Sequence, residues 1–555
     1  MVDNRERSIV RSALWAAGGD ALGWITELAR DGTVEARSGV DYVTEPIDWR
    51  RYIGGRSGVR VFLPAGTYSD DTQLRLAVCR AIRGNGVFDA EAFARVELTV
   101  WPSYALGAGR GTKAAAQNLS KRGVNWFSNF FEKGSEYVTA GGNGAAMRVQ
   151  PHVWVASAER QIEMHTAVLS DALITHGHPH GFAGAYLHAL FLADAINGNL
   201  SAPTKFYDFV DAFADIPDRI EANRELAAFW RPAWEQATGI SLTKALSSVA
   251  AEISKDLDSI MPLLESGDPL QYVEILERLG CLSDRYRGSG LKTAVAASAL
   301  AHLYQDDVEG ALVAAANVTA SDTDTIATMA GAIMGACTRA EFRWAVQDRE
   351  YIVSEASRLA KISAGSQQDS FAYPDLARWQ PPQNQSDAIG IFNDRLALVG
   401  LGEVGPVGEE YVTDDSVWQW MRLNFGQTIL VKRRTKIRTL VEASSMPAGR
   451  QAARVAKIAP NDGLTSRRNQ LSIEKRKSAD ISPKEGQSSH EMSLFKNGSF
   501  IDKITEEVIG SNFDDNVTGK MFNACIDHFK SIEAATSFAA IIAKAKLNSN
   551  RRRAK

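Results

Sequence analysis

Alanine- and leucine-rich segments dominate the first 360 residues of this 555-residue chain, and they restrict the folds open to it. Their apolar residues recur at three- and four-residue spacings, the pattern of helices that bury one face. Strand-like alternation of apolar and polar residues is scarce. The sequence therefore predicts an all-α fold, an orthogonal multi-helix bundle, over this region. The clearest helical segments are 72–83, 158–175, 181–196, 290–303 and 323–338.

The overall composition suits a packed core and gives no global reason to expect a nucleic-acid or membrane partner. Hydrophobic residues make up 45% of the chain and charged residues 23%, and the net charge is -4. The four cysteines lack disulfide or metal spacing, which favours a reducing compartment. Residues 1–15 are charged, unlike a signal peptide. No segment approaches the about 18 apolar residues that span a bilayer. We therefore expect a cytoplasmic protein with no membrane partner.

The character of the sequence changes after about residue 360. An aromatic stretch containing Pro381 and Pro382 comes first, and a stretch rich in Ser, Lys, Arg and Pro follows it. Few large apolar side chains occur in the latter, which is typical of a flexible linker. We expect four regions: a helical domain at 1–360, an aromatic extension at 361–440, a basic linker at 441–492, and a short helical module with a basic tail, of unassigned fold, at 493–555.

Two predicted helix starts carry more carboxylates than capping requires. One is Ser-Asp-Asp-Thr at 69–72, and the other is Ser-Asp-Thr-Asp-Thr at 321–325. Either alone is commonly just an N-cap with an acidic first turn. If the two face each other, their carboxylates and hydroxyls form a set of hard oxygen ligands that favours Mg²⁺ or Mn²⁺ over zinc. The candidate ligands are Ser69, Asp70, Asp71, Asp322, Asp324 and Thr325.

Two glycine-rich loops accompany these acidic clusters, at 104–112 and 141–148. The first precedes a predicted helix, whose free N–H groups can receive an anion. Glycine also lets backbone approach a ligand closely. Each loop alone is more often a simple turn, but together they indicate a phosphate-bearing ligand near a metal site. The candidate contacts are Gly107, Gly109, Asn143, Gly144 and Ala145.

Two further segments leave a choice between a site and a structural role. Three histidines alternate in Thr-His-Gly-His-Pro-His-Gly at 175–181. They could bind zinc, although no nearby cysteine or acidic residue completes a tetrahedral set. Alternatively, His176 and His178 form hydrogen bonds that shape the site, or merely end a helix. Asp20 and Glu27 are likewise either site carboxylates or a surface pair.

Taken in order, these motifs resemble the ADP-ribosylglycohydrolase family. The resemblance covers about residues 5–345, and six ordered motifs make it specific for the family, though not for a substrate. The motifs are GDALGWITE at 19–27, SDDTQ at 69–73, YALGAGRGT at 104–112, GNGAAMR at 142–148, THGHP at 175–179 and SDTDTIA at 321–327.

The resemblance implies an all-α fold that holds two Mg²⁺ ions, with Mn²⁺ as a substitute. It places Ser69, Asp70 and Asp71 in the first metal motif, where the family often has threonine at the first position. Asp322, Asp324 and Thr325 match the second. It implies catalytic roles for Glu27, on a mobile flap, and for Asp71 and Asp324. It places Asn143, Gly144 and Ala145, with His176 nearby, where the family contacts ADP-ribose. Asp20, Gly107 and Gly109 are our further candidates for substrate binding.

The implied reaction is hydrolysis of the bond between the anomeric carbon of ADP-ribose and an acceptor side chain, most simply on a protein. The metal pair would hold the ribose hydroxyls and polarise the reacting centre. Two alternatives remain open: hydrolysis of a free or nucleic-acid-linked ADP-ribose derivative, and a module that binds ADP-ribose without cleaving it. The complete acidic clusters and Glu27 favour catalysis.

The basic residues after position 360 lie outside the resemblance. Runs occur at 432–438, 467–468, 475–477 and 551–553. Such runs are usually solvated surface, and the functional alternative is a patch for nucleic acid or another acidic partner. Trp418 and Trp420 belong either to a core or to a stacking platform, and we expect the core.

Overall fold

A computed structural model of the protein describes residues 2–30, 32–55, 58–413, 416–447, 500–529 and 532–553. The chain forms two compact units, Met1–Ala459 and Pro460–Lys555. The predicted helical domain at 1–360 and the predicted aromatic extension at 361–440 both lie in the first unit. Most of the predicted linker at 441–492, including the basic runs at 467–468 and 475–477, lies outside the described residues.

The first unit is mainly helical, as predicted. Its helices are α1 (Val2–Thr26), α2 (Thr33–Ser38), α3 (Asp70–Ala81), α4 (Ala90–Ala92), α5 (Leu98–Val100), α6 (Arg110–Leu119), α7 (Gln150–Val155), α8 (Gln161–Thr175), α9 (Pro179–Ile196), α10 (Lys205–Asp211), α11 (Ile216–Glu221), α12 (Arg231–Thr238), α13 (Leu242–Ser266), α14 (Tyr272–Arg278), α15 (Gly290–Tyr304), α16 (Val308–Asn317), α17 (Thr323–Cys337) and α18 (Arg349–Ser363). The five helical segments singled out in the sequence are confirmed as α3, α8, α9, α15 and α17.

The central packing contact is between α1 and α17, and small residues make it close. A Cβ atom at Gly19 would lie 2.4 Å from the Ala327 carbonyl oxygen, and one at Gly23 would lie 2.4 Å from that of Thr323. The Thr323 hydroxyl in turn donates to the Gly23 carbonyl at 2.8 Å. Backbone therefore meets backbone at the start of α17, where the second acidic cluster lies.

Two antiparallel sheets complete the first unit. A hairpin pairs β1 (Trp49–Ile53) with β2 (Val59–Leu63). The second sheet has five strands in sequential order, namely β3 (Ile389–Phe392), β4 (Arg395–Leu398), β5 (Gly402–Val412), β6 (Ser416–Leu423) and β7 (Thr428–Arg434). The sequence did not predict this sheet, because six consecutive residues at the start of β6 are buried and show no alternation.

Hydrogen bonds join the five-stranded sheet to the hairpin and the helices. The Phe62 N–H donates to the Tyr411 hydroxyl at 3.2 Å. Arg80, which forms a buried ion pair with Glu97 at 2.8 Å, also donates to the Gln427 side chain at 2.7 Å. Trp418 and Trp420 are buried, as expected of core residues. The sheet is thus an integral part of the first unit.

The second unit contains three described helices, α19 (Phe500–Gly510), α20 (Asp515–Phe529) and α21 (Ile532–Arg553). They share a small core that includes Val508, Cys525 and Phe538. These helices lie within the range 493–555, for which the sequence predicts a short helical module. Across the described parts of both units, no helix has the length and apolar character needed to cross a bilayer.

Candidate active site

The start of α3 is held from behind by a buried aspartate. Ser69 is the N-cap, and its hydroxyl accepts a hydrogen bond from the Asp71 N–H, as the sequence predicted. Asp20 is fully buried and accepts from the Ser69 N–H at 2.9 Å and from the Thr72 N–H at 2.8 Å. The Thr72 hydroxyl also donates to Asp20, at 2.6 Å. Because both Asp20 oxygens are occupied in this way, the geometry favours a positioning role over substrate contact.

Three carboxyls of the acidic clusters lie in a buried environment of like charge. Burial raises the pKa of Asp70 well above its usual range, and Glu27 and Asp20 raise it further. Burial and the nearby charges of Asp20, Asp70 and Asp322 do the same to the pKa of Asp71. The pKa of Asp324 is raised by burial, then by Glu27 and Asp71. These carboxyls therefore form one electrostatic group that positive charge would stabilise.

One direct contact joins the two clusters. The Thr325 hydroxyl donates to Asp71 Oδ1 at 3.4 Å. Asp324 Oδ1 accepts from the Thr325 N–H at 2.9 Å, which turns this carboxylate back onto the first turn of α17. The starts of α3 and α17 thus meet. From the sequence alone, this proximity could only be assumed when the two clusters were combined into one site.

The donor atoms suit a hard divalent cation. Asp71 Oδ2 is buried and has no hydrogen-bond partner among the described residues, although a buried carboxylate oxygen normally has one. Carboxylate and hydroxyl oxygens are the preferred ligands of Mg²⁺ and Mn²⁺. Within the described residues, no three His, Cys, Asp or Glu side chains converge closely enough to enclose an ion as they stand. The fit to a cation therefore rests on the unpartnered oxygen and the donor chemistry.

The second glycine loop is held against the acidic clusters. Asn143 donates through its side chain to Asp322 Oδ2 at 3.1 Å, and its backbone N–H donates to the Gly288 carbonyl at 2.9 Å. A Cβ at Gly144 would lie 2.8 Å from the Thr112 hydroxyl and 3.1 Å from the His176 ring. Glycine is required here because no side chain fits between Thr112 and the histidine.

His176 closes the other side of this loop in its neutral form. Its Nδ1 lies 2.7 Å from the Thr175 hydroxyl, and a Cβ at Gly144 would lie 3.4 Å from its Nε2. Burial, followed by the nearby Arg148 charge, lowers the pKa of His176 to about 3. A neutral imidazole can hydrogen-bond a polar ligand without carrying charge.

The first loop leaves two glycines in different surroundings. Gly107 has φ +105°, and a Cβ there would lie 2.3 Å from Asp70 Oδ1. Gly109 is the N-cap of α6 and has open space around its Cβ position. Ala145, from the second loop, is buried. Gly107 thus makes room for the Asp70 carboxylate, whereas Gly109 leaves the N-terminus of α6 accessible.

A buried ion pair that the sequence reading missed supports both the second loop and the histidine segment. Arg148 donates to Asp171 at 2.9 Å, to the Gly144 carbonyl at 2.7 Å and to the Thr175 hydroxyl at 2.9 Å. Arg148 lies within the GNGAAMR motif, but Asp171 lies inside α8 and belongs to no motif. No local sequence pattern pairs Asp171 with Arg148, so the ion pair could not be predicted from the sequence.

The three alternating histidines point to different partners. His178 is the N-cap of α9 and accepts from the His180 N–H. His180 lies 2.9 Å from the Ser289 hydroxyl and 3.1 Å from Glu252. Since His176 faces the glycine loop, the three rings do not share one ion, and the zinc interpretation has no support in this geometry.

Glu27 lies at the mouth of the site. It follows the end of α1 and forms an ion pair with Arg51 of β1 at 2.9 Å. Glu27, Arg51 and Gly107 line a cavity of about 920 Å³. The cavity therefore reaches the acidic clusters at Glu27 and at Gly107, the residue next to the Asp70 carboxylate. Asn143, Gly144 and His176 do not line the cavity.

Comparison with known proteins places this arrangement in a family. A family profile described as ADP-ribosylglycohydrolase matches residues 2–368. The chain is 28% identical over 167 residues to an ADP-ribosyl-[dinitrogen reductase] glycohydrolase of Rhodospirillum rubrum, a match that covers 30% of this chain and 50% of that protein. It is 25% identical over 280 residues to the ADP-ribosylhydrolase ARH3 of Xenopus tropicalis, over 49% of this chain and 73% of that protein.

A solved structure, titled an ADP-ribosylglycohydrolase-related protein complex, aligns with 19% sequence identity and a TM-score of 0.37, over 65% of this chain and 99% of that chain. The family match covers the motifs from Asp20 to Asp324 and ends before the five-stranded sheet begins. The expected family is therefore confirmed by the profile that spans the helical bundle and its acidic clusters. The chain belongs to the ADP-ribosylglycohydrolase family.

Proposed function

We propose that this protein is a hydrolase, dependent on Mg²⁺ or Mn²⁺, that cleaves the bond between the anomeric carbon of ADP-ribose and a side chain of a modified protein. The observation that carries the proposal is the buried, unpartnered Asp71 Oδ2 within a group of carboxyls, beside a glycine loop. A protein acceptor is supported by the name of the Rhodospirillum rubrum relative, which specifies dinitrogen reductase.

The chain offers a defined set of groups to hold two cations. These would be Ser69, Asp70, Asp71, Asp322, Asp324 and Thr325, all on the first turns of α3 and α17 or beside them. When bound, divalent cations would supply Lewis acidity at the ribose. The cations would also offset the burial and the mutual repulsion that raise the pKa values of Asp70, Asp71 and Asp324.

The remaining residues bind and orient the substrate. Asn143, held at Asp322, and the N–H groups of the glycine loops would contact polar oxygens of ADP-ribose. His176 would present Nε2 to the same ligand. Arg148 would keep the loop carbonyls and Thr175 in place without touching substrate, because all of its contacts lie within the protein core.

Glu27 is the group we assign to proton transfer. Arg51 donates to its Oε2, and Glu27 lines the cavity, so its Oε1 would be left for the acceptor or for water. A carboxylate in this position can take a proton from water and return it to the departing side chain. Asp71 and Asp324 are the other catalytic candidates, through their place in the cation site.

The test is release of ADP-ribose from mono-ADP-ribosylated peptides by the full chain. Asp71→Asn and Asp324→Asn remove charge but keep shape, and we expect each to lower kcat/KM by about two orders of magnitude. Asp307→Asn is the matched control, because Asp307 is likewise an aspartate at the start of a helix, the N-cap of α16, but is exposed at the surface. Undiminished release by Asp71→Asn contradicts the proposal.

The same assay separates the alternatives when the acceptor is varied. Arginine-linked, serine-linked and nucleic-acid-linked ADP-ribose are compared at equal concentration. Release from the peptides supports de-ADP-ribosylation of protein. Release from the nucleic acid alone would show that the acceptor is nucleic acid and not protein. Binding of ADP-ribose in calorimetry, without turnover of any substrate, would indicate a binding module.

A further inference from the structure

We propose that the five-stranded sheet forms one wall of the acceptor subsite, and that Lys432 selects acidic peptide segments around the modified residue. This inference rests on the proposed function, which fixes the side on which ADP-ribose lies. It assigns a role in substrate choice to a part of the chain that the family match, residues 2–368, does not reach.

The position of the cavity indicates what it holds. If ADP-ribose binds against Asn143, Gly144 and His176 as proposed, with its anomeric carbon at the carboxyls of Asp70, Asp71 and Asp324, the acceptor would extend toward Glu27, which lines the cavity. The cavity that begins at Glu27 and Gly107 continues past β1 to Trp418 and Lys432 of the sheet. The group joined to ADP-ribose therefore enters this cavity, and its neighbours along the acceptor chain contact the far wall.

The far wall is built by a cross-strand pair. Trp418 of β6 lies directly opposite Lys432 of β7. The Lys432 ammonium lies 5.6 Å from the centre of the Trp418 ring, within the range of a cation–π contact. Gly54, at the end of β1, has φ +94°, and a Cβ there would lie 2.6 Å from the indole ring. Trp418 thus packs against the hairpin and supports Lys432 at the cavity.

The charge of the lining is positive. Glu27 and Arg51 neutralise each other at 2.9 Å. Two other cations, Lys113 of α6 and Lys432, line the cavity, and within the described part of the chain neither forms an ion pair. Lys113 lies near Asp70, on which its charge acts. Lys432 is therefore the cation available to the acceptor, and a carboxylate is its complement.

The lining favours a peptide over a polynucleotide. Nucleic-acid sites neutralise a run of phosphates with many cations, whereas the described residues that line this cavity include two cations besides the Glu27–Arg51 pair. Side chains with hydroxyl and amide groups, such as Ser103, Gln117 and Gln383, also line the cavity. These groups can hydrogen-bond the N–H and C=O groups of an extended peptide.

The experiment compares ADP-ribosylated peptides whose flanking residues are glutamate or lysine, using the full chain. For the natural sequence we expect kcat/KM to favour the glutamate-flanked peptide by about tenfold. Lys432→Glu should remove or invert this preference, and Lys432→Gln should reduce it by an intermediate factor. Lys436→Glu is the matched control, because Lys436 is an exposed lysine just beyond β7 that does not line the cavity.

Binding of the same peptides, followed by fluorescence anisotropy, keeps this test separate from that of the proposed function. Failure to release ADP-ribose from an ADP-ribosylated amino acid without flanking residues counts against the proposed function alone. The acceptor proposal is overturned if wild-type binding ignores the flanks or if Lys432→Glu and Lys436→Glu change the preference equally. It is also overturned if an ADP-ribosylated oligonucleotide binds more tightly than the acidic peptide.

Discussion

At the scale of single residues, the site depends on glycines that leave space as much as on the polar side chains. Gly107 has a left-handed backbone conformation, with its Cα facing the Asp70 carboxylate. A methyl group there would meet Asp70 Oδ1 at 2.3 Å, so the carboxylate must move or the loop must shift. The position of Asp70 is thus set partly by the lack of a side chain across from it.

We predict that Gly107→Ala lowers kcat/KM for ADP-ribose release by about tenfold or more and costs about 1–3 kcal/mol of folding free energy. The reference for stability is Gly109→Ala, because Gly109 has φ -62° and open space at its Cβ position. Denaturant unfolding compares the two variants. Equal stability of the two would mean that the close approach to Asp70 imposes no constraint.

Buried histidines predict how stability depends on pH. Burial, followed by the nearby Arg75 charge, lowers the pKa of His188 to about 3. Between about pH 6.5 and 3 the unfolded chain binds a proton that the folded chain does not, so stability falls as pH falls through this range. His176 contributes in the same direction.

His188→Gln should therefore flatten the dependence of unfolding free energy on pH by up to about 1.4 kcal/mol per pH unit below 6.5. The measurement is urea unfolding at several pH values between 7 and 4.5. If the unfolding free energies of the variant and the natural sequence depend equally on pH, His188 takes up its proton in the folded state at the same pH as in the unfolded state.

At the scale of elements, the contact of α1 with α17 sets the place of the second acidic cluster. Gly23 lets the Thr323 carbonyl and Asp324 backbone approach to within 2.5 Å of where a Cβ would stand. The Thr323 hydroxyl then bonds to Gly23, which fixes the first turn of α17. Packing between these two helices therefore fixes the position of the Asp324 carboxyl in the second acidic cluster.

Gly23→Ala should cost about 1–3 kcal/mol of folding free energy and also reduce ADP-ribose release, because the overpacked contact displaces Asp324. Gly519→Ala, a helical glycine of α20 with open space around it, serves as the control. If the melting temperatures of Gly23→Ala and the natural sequence coincide, the helices can separate without cost.

The sequence could predict these helices but not how they meet. Three- and four-residue spacing identified α17, and the capping role of Ser69 was visible in the order of residues at the start of α3. The bond from Thr325 to Asp71 joins positions 254 residues apart, and no local pattern encodes it. Likewise, we expected Asp20 to contact the substrate. Its hydrogen bonds to Ser69 and Thr72 could not be predicted, because they depend on the tertiary fold.

At the scale of the whole molecule, the family region and the sheet that follows it share one compact unit. A strand buried on both faces shows no alternation of apolar and polar residues, so β6 could not be recognised from the sequence. The proposed role of Lys432 depends on this sheet and could not be predicted either. The sheet bonds to the hairpin that carries Arg51, the partner of Glu27. The proposed acceptor wall and the proposed proton-transfer residue are thus connected through one hairpin.

Cation binding to the folded chain should raise its stability, because a ligand of the native state shifts unfolding by mass action. We expect Mg²⁺ at about 100 times its dissociation constant to add about 2.7 kcal/mol, seen as a higher melting temperature. Asp71→Asn should lose most of this gain, whereas Asp307→Asn should keep it. Equal shifts in all three proteins would mean that the ion binds elsewhere.

The most direct measurement is release of ADP-ribose from a mono-ADP-ribosylated peptide by the full chain, before and after removal of divalent cations with EDTA. We predict loss of activity on removal and recovery when Mg²⁺ or Mn²⁺ is added back in excess, with no recovery in Asp71→Asn. Full activity in EDTA, or equal recovery in the variant, would contradict the claim that the carboxyls at the starts of α3 and α17 hold the cations needed for catalysis.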